Sequence, residues 1–252
     1  MAMANGREAI AQRKIHGLVV LGGDGMVHLG VNLVVGTKLP LMVVGAGTGN
    51  DSARLLGMPI HDIQASLKYL ADHLNHRTEV DAVGVTASGK SEYLFGSVSA
   101  GFDAIVNARA NRLRWPKGKA RYPVALFAEL PRFSPIQYEV VIDGVQRSFS
   151  AMLVAVANAP AYGGGMQIAP AATVTDGVLD LFIVHQISRF ELVRLFPKVY
   201  SGGHVGHPAV EFVQAKEVTL NAKGVPAYAD GEYVGETPLT VKVLPRALTV
   251  FA

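Results

Sequence analysis

Carboxylates set among glycines are the residues of this chain best suited to chemistry. The stretch Gly22-Gly23-Asp24-Gly25 follows a short apolar run, Leu18 to Leu21, and precedes a helical pattern from Met26 to Val35. Glycines let backbone approach a ligand closely, and the free N–H groups of a helix start favour an anion, so the turn suits a phosphate. Asp24 would repel a bare phosphate. A divalent cation between the two removes that conflict, so the turn points to a metal-bound nucleotide. The plain alternative is a glycine-rich connection in which Asp24 is only a cap. A second turn, Gly45-Ala46-Gly47-Thr48-Gly49-Asn50-Asp51, follows the apolar strand Pro40 to Val44 and leads into a helix from Ser52 to Leu56. Thr48 offers a hydroxyl, Asn50 an amide and Asp51 another carboxylate, although all three also suit an ordinary helix start. Both turns end successive parallel strands and so fall on the carboxyl edge, where α/β sheets bind ligands.

The second half repeats the theme. Tyr162-Gly163-Gly164-Gly165-Met166 is a glycine loop that ends at Pro170, and Asp176-Gly177 follows it. Asp-Gly is a common turn pair and needs no function. Asp230-Gly231-Glu232 lies between strand-like runs and reads either as a bare hairpin turn or as a site for acid–base work. A glutamate beside an apolar strand is expected to be partly desolvated, which would raise its pKa toward the range useful for deprotonating an alcohol.

The elements that must position these residues divide the chain. Residues 7–15 read as the end of a helix ahead of the strand at Leu18, so the chain is expected to begin partway through an α/β unit. Asp62 to His73 reads as a helix with Ile63, Leu67, Leu70 and Leu74 on its inward face. From about Arg77 the pattern turns to alternating strands: 78–86, 91–99, 136–142, 147–156 and 177–185. Helices are predicted over 103–113, 122–130 and 189–200.

With 252 residues, half of them hydrophobic, the chain can bury a sizeable core. A net charge of +3 from 23 basic and 20 acidic residues gives no general polyanion surface, so nucleic acid is not expected as a partner. The absence of cysteine excludes disulfides, thiolate metal sites and a cysteine nucleophile. The first sixteen residues lack the apolar segment of a signal peptide, and no apolar run approaches the ~18 residues of a membrane span. A cytoplasmic protein is expected.

In order, Gly-Gly-Asp-Gly, Gly-Thr-Gly-Asn-Asp-Ser-Ala-Arg, Gly-Gly-Gly-Met with Ile-Ala-Pro, Asp-Gly-Val-Leu-Asp and Asp-Gly-Glu resemble the successive signatures of the bacterial diacylglycerol-kinase-like lipid kinases, over essentially the whole chain. The resemblance implies an ATP-dependent kinase. Its N-terminal α/β domain, residues 1–76, would hold a parallel sheet related to those of phosphofructokinase and NAD kinase. Its β-rich, sandwich-like C-terminal domain would span residues 77–252, with the nucleotide between the two. By the same resemblance Gly22, Gly23, Asp24, Gly25, Met26, Val27, His28, Gly47, Thr48, Asn50 and Asp51 would hold ATP, and Asp24 would bind the Mg²⁺ on its phosphates. Asp51, Asp81 and Asp230 match the acidic network that supports this metal, and Glu232 matches the proton acceptor. A structural Mg²⁺ would take the Asp176 side chain with the backbone carbonyls of Thr173 and Val178.

Two departures from the family pattern carry expectations. Met26, His28 and Leu29 stand where the family has Thr, Asn and Glu, so one hydroxyl contact to phosphate is lost while backbone donors remain. The family's opening strand, with its Asn-Pro phosphate loop, has no counterpart ahead of Gly22. The implied acceptor is a lipid alcohol at a membrane surface, with diacylglycerol giving phosphatidic acid, and the family resemblance allows a homodimer. A soluble-acceptor kinase of the NAD-kinase type and a non-catalytic nucleotide or lipid binder remain the competing readings. Arg109, Arg112, Arg114, Lys117, Lys119 and Arg121, interleaved with Leu113 and Trp115, suit peripheral docking on anionic lipid, though a solvated basic helix end has the same composition.

Overall fold

A computed structural model describes residues 2–12, 14–116 and 121–251. Helix α1 (Ala2–Ala11) packs on α2 (Asp24–Val34), which connects the parallel strands β1 (Leu18–Gly22) and β2 (Pro40–Gly45). All six residues of β2 are buried, as a continuous apolar run in a covered parallel strand should be. β1 forms the edge of the sheet. Short α3 (Asp51–Leu55) and α4 (Ile63–His73) follow, the latter capped by the Asp62 side chain accepting from the Ala65 N–H.

The β-rich half begins with β3 (Thr78–Ala87), β4 (Lys90–Leu94) and β5 (Ser97–Gly101). Then come α5 (Phe102–Arg112), α6 (Arg121–Glu129), β6 (Ile136–Ile142), β7 (Val145–Ala157), β8 (Leu179–His185) and α7 (Arg189–Leu195). The remaining strands are β9 (Val210–Ala215), β10 (Glu217–Asn221), β11 (Pro226–Ala229), β12 (Glu232–Glu236) and β13 (Leu239–Val250). The main strand path runs β1-β2-β13-β10-β6-β7-β5-β11-β12, with β3 and β4 attached through β13, and β8 and β9 through β7. β13 is the join: it pairs antiparallel with β3 and β10, then parallel with β2. The N-terminal sheet is therefore mixed rather than purely parallel. Its core holds Val31, Met42 and Ala53 together with Val80, Phe95, Leu248 and Phe251 from far along the chain. The β core gathers Leu94, Val98, Tyr138, Leu181 and Val241, while α5, α6 and α7 cover a third cluster around Phe102, Met152 and Phe182.

Four sequence expectations need correction. Helix α2 starts at Asp24, not Met26, because extended Gly23 is the cap and an acidic first residue suits the helix dipole. The strand expected over 91–99 is two strands, broken at Phe95-Gly96, where the chain leaves β3 and joins β7 and β11. Of the apolar stripe of α4 only Leu70 packs against the core: Ile63, Leu67 and Leu74 are each more than half exposed, and the buried residue is Ser66. The helix expected over 189–200 becomes a 3-10 helix from Phe196, with Pro197 in its first turn. Among the described residues no helix is long and apolar enough to cross a membrane.

Candidate active site

The two glycine turns lie side by side because their strands are parallel and in register, Gly22 opposite Gly45. They touch backbone to backbone: a Cβ on Gly47 would collide with the Cα of Gly23, so only glycine permits this approach. Asp24 opens α2 and reaches into the second turn, where its Oδ1 accepts from the Ser52 N–H at 3.3 Å and from the Ser52 hydroxyl at 3.4 Å. Asn50, in the left-handed region at φ 57°, closes that turn. Its Oδ1 accepts from the Gly47 N–H at 2.7 Å and its Nδ2 donates to the Gly47 carbonyl at 2.8 Å, so the amide faces inward rather than into the cleft.

Asp51 accepts from the Gly164 N–H at 2.7 Å, which ties the N-terminal half to the 163–165 loop. Burial pushes its carboxyl up from the ordinary range; the Gly164 bond opposes this and the negative charge of Asp24 adds to it. Asp230 arrives from the hairpin between β11 and β12. Its carboxylate accepts from the N–H groups of Gly96 at 3.1 Å and Ser97 at 2.9 Å, at the break between β4 and β5. A side chain at Gly96 would run into this carboxylate. Burial raises the Asp230 pKa against those bonds, and Asp24 raises it further.

Glu232 stands beside α2. A Cβ on Gly25 would lie 2.7 Å from Glu232 Oε1, so the last glycine of the first motif makes room for this carboxylate. The desolvation expected for Glu232 is absent: its side chain is exposed, because β12 is an edge strand.

Between these groups lies a cleft of about 710 Å³. Its lining includes Asp24, Thr48, Asp51 and Asp230 together with Tyr122, Tyr162, Met166 and Phe196. Several expected residues lie elsewhere. Val27 is in the N-terminal core, His28 Nε2 is 3.2 Å from Glu92 Oε2, and Met26 folds back over Gly22. Asp81, expected in the acidic network around Asp24, is fully buried and accepts from the N–H groups of Gly177 at 2.7 Å and Arg246 at 2.8 Å, which makes it a brace between β3 and the loop before β8. Asp176 accepts from the Val178 N–H at 3.2 Å, and Thr173 belongs to the same loop. Sequence reasoning missed Ser97, Ser99 and Asp103 in the cleft wall, whose one visible signal is the alternation of serines ahead of Gly101.

Among the described residues no three His, Asp or Glu side chains converge as a ready cage for a metal. The donor set nevertheless fits a nucleotide-borne magnesium, which takes one or two carboxylates and completes its shell with phosphate oxygens and water. Asp24 and Asp51 would supply the carboxylates.

The diacylglycerol kinase catalytic domain pattern matches residues 4–85, and the YegS C-terminal NAD kinase beta sandwich-like domain pattern matches residues 96–252. A diacylglycerol kinase of Mycobacterium tuberculosis is 37% identical over 251 residues, 99% of this chain and 78% of that protein. A crystal structure of a diacylglycerol kinase from Bacillus anthracis str. Sterne superposes with a TM-score of 0.69 at 19% identity, covering 99% of this chain and 80% of the other. An NAD kinase from Archaeoglobus fulgidus in complex with ATP shares the fold more distantly, with a TM-score of 0.53 at 12% identity over 95% and 78% of the two chains. The order of the glycine turns, the β-rich second half and these matches agree: the chain belongs to the bacterial diacylglycerol-kinase-like lipid kinases.

Proposed function

We propose that the protein transfers the γ-phosphoryl group of Mg²⁺-ATP to the hydroxyl of a lipid alcohol, with diacylglycerol as acceptor and phosphatidic acid as product. The observation that carries this reading is that Asp24, Asp51 and Asp230 line one cleft, with Glu232 against Gly25 next to Asp24. Backbone N–H groups of the two glycine turns hold the phosphates, and Asp24 and Asp51 hold the cation. When bound, the cation neutralises charge on the transferring group. Glu232 orients the acceptor hydroxyl and takes its proton as the oxygen bonds to phosphorus and ADP leaves. Its exposed position leaves it open to an acceptor arriving from a bilayer. Asp230, bonded to Gly96 and Ser97, fixes the hairpin that carries Glu232.

Docking on the cytoplasmic face of a membrane fits the surface around α6. Trp115 is 81% exposed, Val124 and Phe127 project from α6, and Phe190 projects from α7. Tyr122 of α6 stacks on Phe196, the first residue of the 3-10 helix that follows α7. Arg112 and Arg114 are exposed next to them, whereas Arg109 is paired with Glu129 and so is not a free cation. Lys117 and Lys119 lie outside the described residues.

The deciding experiment incubates the protein with labelled ATP, Mg²⁺ and a panel of diacylglycerol, ceramide, a sphingoid base and NAD. Label in phosphatidic acid is the expected result. Transfer to NAD alone would favour the soluble-acceptor reading, and transfer to no lipid would overturn the proposal. Replacing Arg112 and Arg114 by Gln should weaken sedimentation with anionic vesicles and leave ATP affinity unchanged.

A further inference from the structure

Among the described residues two cations line the cleft, Arg54 and Arg121. Arg121, at the start of α6, donates its Nε–H to the Pro116 carbonyl at 3.1 Å. Arg54 belongs instead to the second glycine turn. Its Nη1 donates to the Gly49 carbonyl and lies 3.2 Å from Asp51 Oδ1. Asp24 comes to the same place: a Cβ on Gly49 would stand 2.5 Å from Asp24 Oδ2 and 3.7 Å from Asp51 Oδ2. One glycine thus gathers two carboxylates and a guanidinium around it.

The two partners of the ion pair are held unequally. The Asp51 side chain is 13% exposed and is fixed from its other oxygen by the Gly164 N–H, whereas the Arg54 side chain is 43% exposed. An exposed pair three residues apart on one short helix contributes little to stability, so the guanidinium is the movable member. Among the described residues its Nε and Nη2 have no hydrogen-bond partner, which leaves three N–H donors of the planar fork open. Such a fork matches phosphate oxygens. In the transfer, the lipid oxygen bonds to phosphorus as the bond to the ADP oxygen breaks, and the hydroxyl proton passes to Glu232. Charge then spreads over the three remaining oxygens on phosphorus. Asp24, Asp51 and Asp230 would repel that charge, and Arg54 is the cation bonded to the turn they share the cleft with. With a metal ion on Asp51, the guanidinium loses its partner there and is free for those oxygens.

We propose that Arg54 turns from Asp51 onto the γ-phosphoryl oxygens of bound ATP and is a further catalytic residue of the transfer. This rests on the lipid-kinase reading above. The test is calorimetry on the full chain with Mg²⁺ and diacylglycerol in mixed micelles, comparing ADP with ADP plus aluminium fluoride, a mimic of the phosphoryl group during transfer. The wild-type protein should bind the fluoride complex about 10²-fold more tightly than ADP, as transition-state mimics are bound. Arg54→Gln should leave ADP affinity unchanged, lose most of that tightening, and lower kcat by about 10³-fold with KM for the lipid unchanged. Arg54→Lys, which keeps the charge without the fork, should recover part of both. The assignment is overturned if the wild type binds the two equally, if Arg54→Gln keeps the tightening, or if Arg54→Lys is no better than Arg54→Gln. It is overturned equally if Arg54→Gln loses ADP affinity as much as it loses the tightening, as a broken glycine turn would. No lipid phosphorylation by the wild type would remove the lipid-kinase reading, whereas normal lipid phosphorylation by Arg54→Gln would remove this inference alone.

Discussion

Two hairpins of this molecule have nearly the same backbone and opposite fates. Asp143-Gly144 joins β6 to β7 with φ values of 47° and 86°, and Asp230-Gly231 joins β11 to β12 with 47° and 87°. Each aspartate turns its carboxylate onto backbone N–H groups of another segment. Asp143 clamps Lys216 and Glu217 at 2.9 and 2.8 Å, and Asp230 clamps Gly96 and Ser97. The Asp143 turn is exposed at the far end of β6. The Asp230 turn faces Asp24 and is followed at once by Glu232. The motif is a clamp in both places, and the difference lies in what stands opposite it.

That comparison can be broken by substitution. The largest effect belongs to what Asp230 faces: Asp24→Ala should lower kcat/KM by about 10³-fold and raise the Mg²⁺ and ATP needed for half-maximal rate, measured by magnesium titration at fixed lipid. Glu232→Gln should lower kcat by about 10²-fold with KM for ATP nearly unchanged, as loss of a proton acceptor does. Equal loss of ATP affinity in both variants would contradict the assigned roles. Asp230→Asn and Asp143→Asn test the clamps directly. Only Asp230→Asn should slow turnover, by about tenfold; an equal effect of the two on turnover would erase the distinction between the hairpins.

The smallest expected effect is on pH-dependent stability. Burial holds the Asp51 carboxyl above its unfolded value, so the folded state binds this proton more tightly. Stability from this group is full below about pH 4 and is lost as pH rises through the folded pKa. Asp51→Asn should therefore raise Tm at neutral pH while activity falls, and the gain should vanish in acid. A Tm gain that persists at pH 3.5 would assign it to another cause.

The glycine turns were legible in the sequence because their requirement is local: where two backbones touch, at Gly23 and Gly47, no other residue fits. Strand, turn and helix order follows from the same short-range rules. The Asp103 group was not legible, because Ser99, Asp103 and Tyr162 come from β5, α5 and a glycine loop about sixty residues later, and nothing in their spacing foretells a meeting. The α4 stripe misled for a related reason. Periodicity identifies one face of a helix without saying what that face meets, and Ile63, Leu67 and Leu74 meet solvent. Phe95-Gly96 read as strand interior until Asp230 supplied the bonds that make it a break.

β13 has a consequence for the order in which the molecule is built. The core of the N-terminal half contains Leu248, Val250 and Phe251, and β2 lacks its second neighbour until Thr249 and Val250 pair beside Pro40 and Leu41. During synthesis β2 emerges with that flank bare, and the gap waits for a strand made some two hundred residues later. Domain-by-domain folding along the nascent chain, the ordinary protection against aggregation, is thus denied to this half. Its pairings are long-range, and such contacts are slow to form.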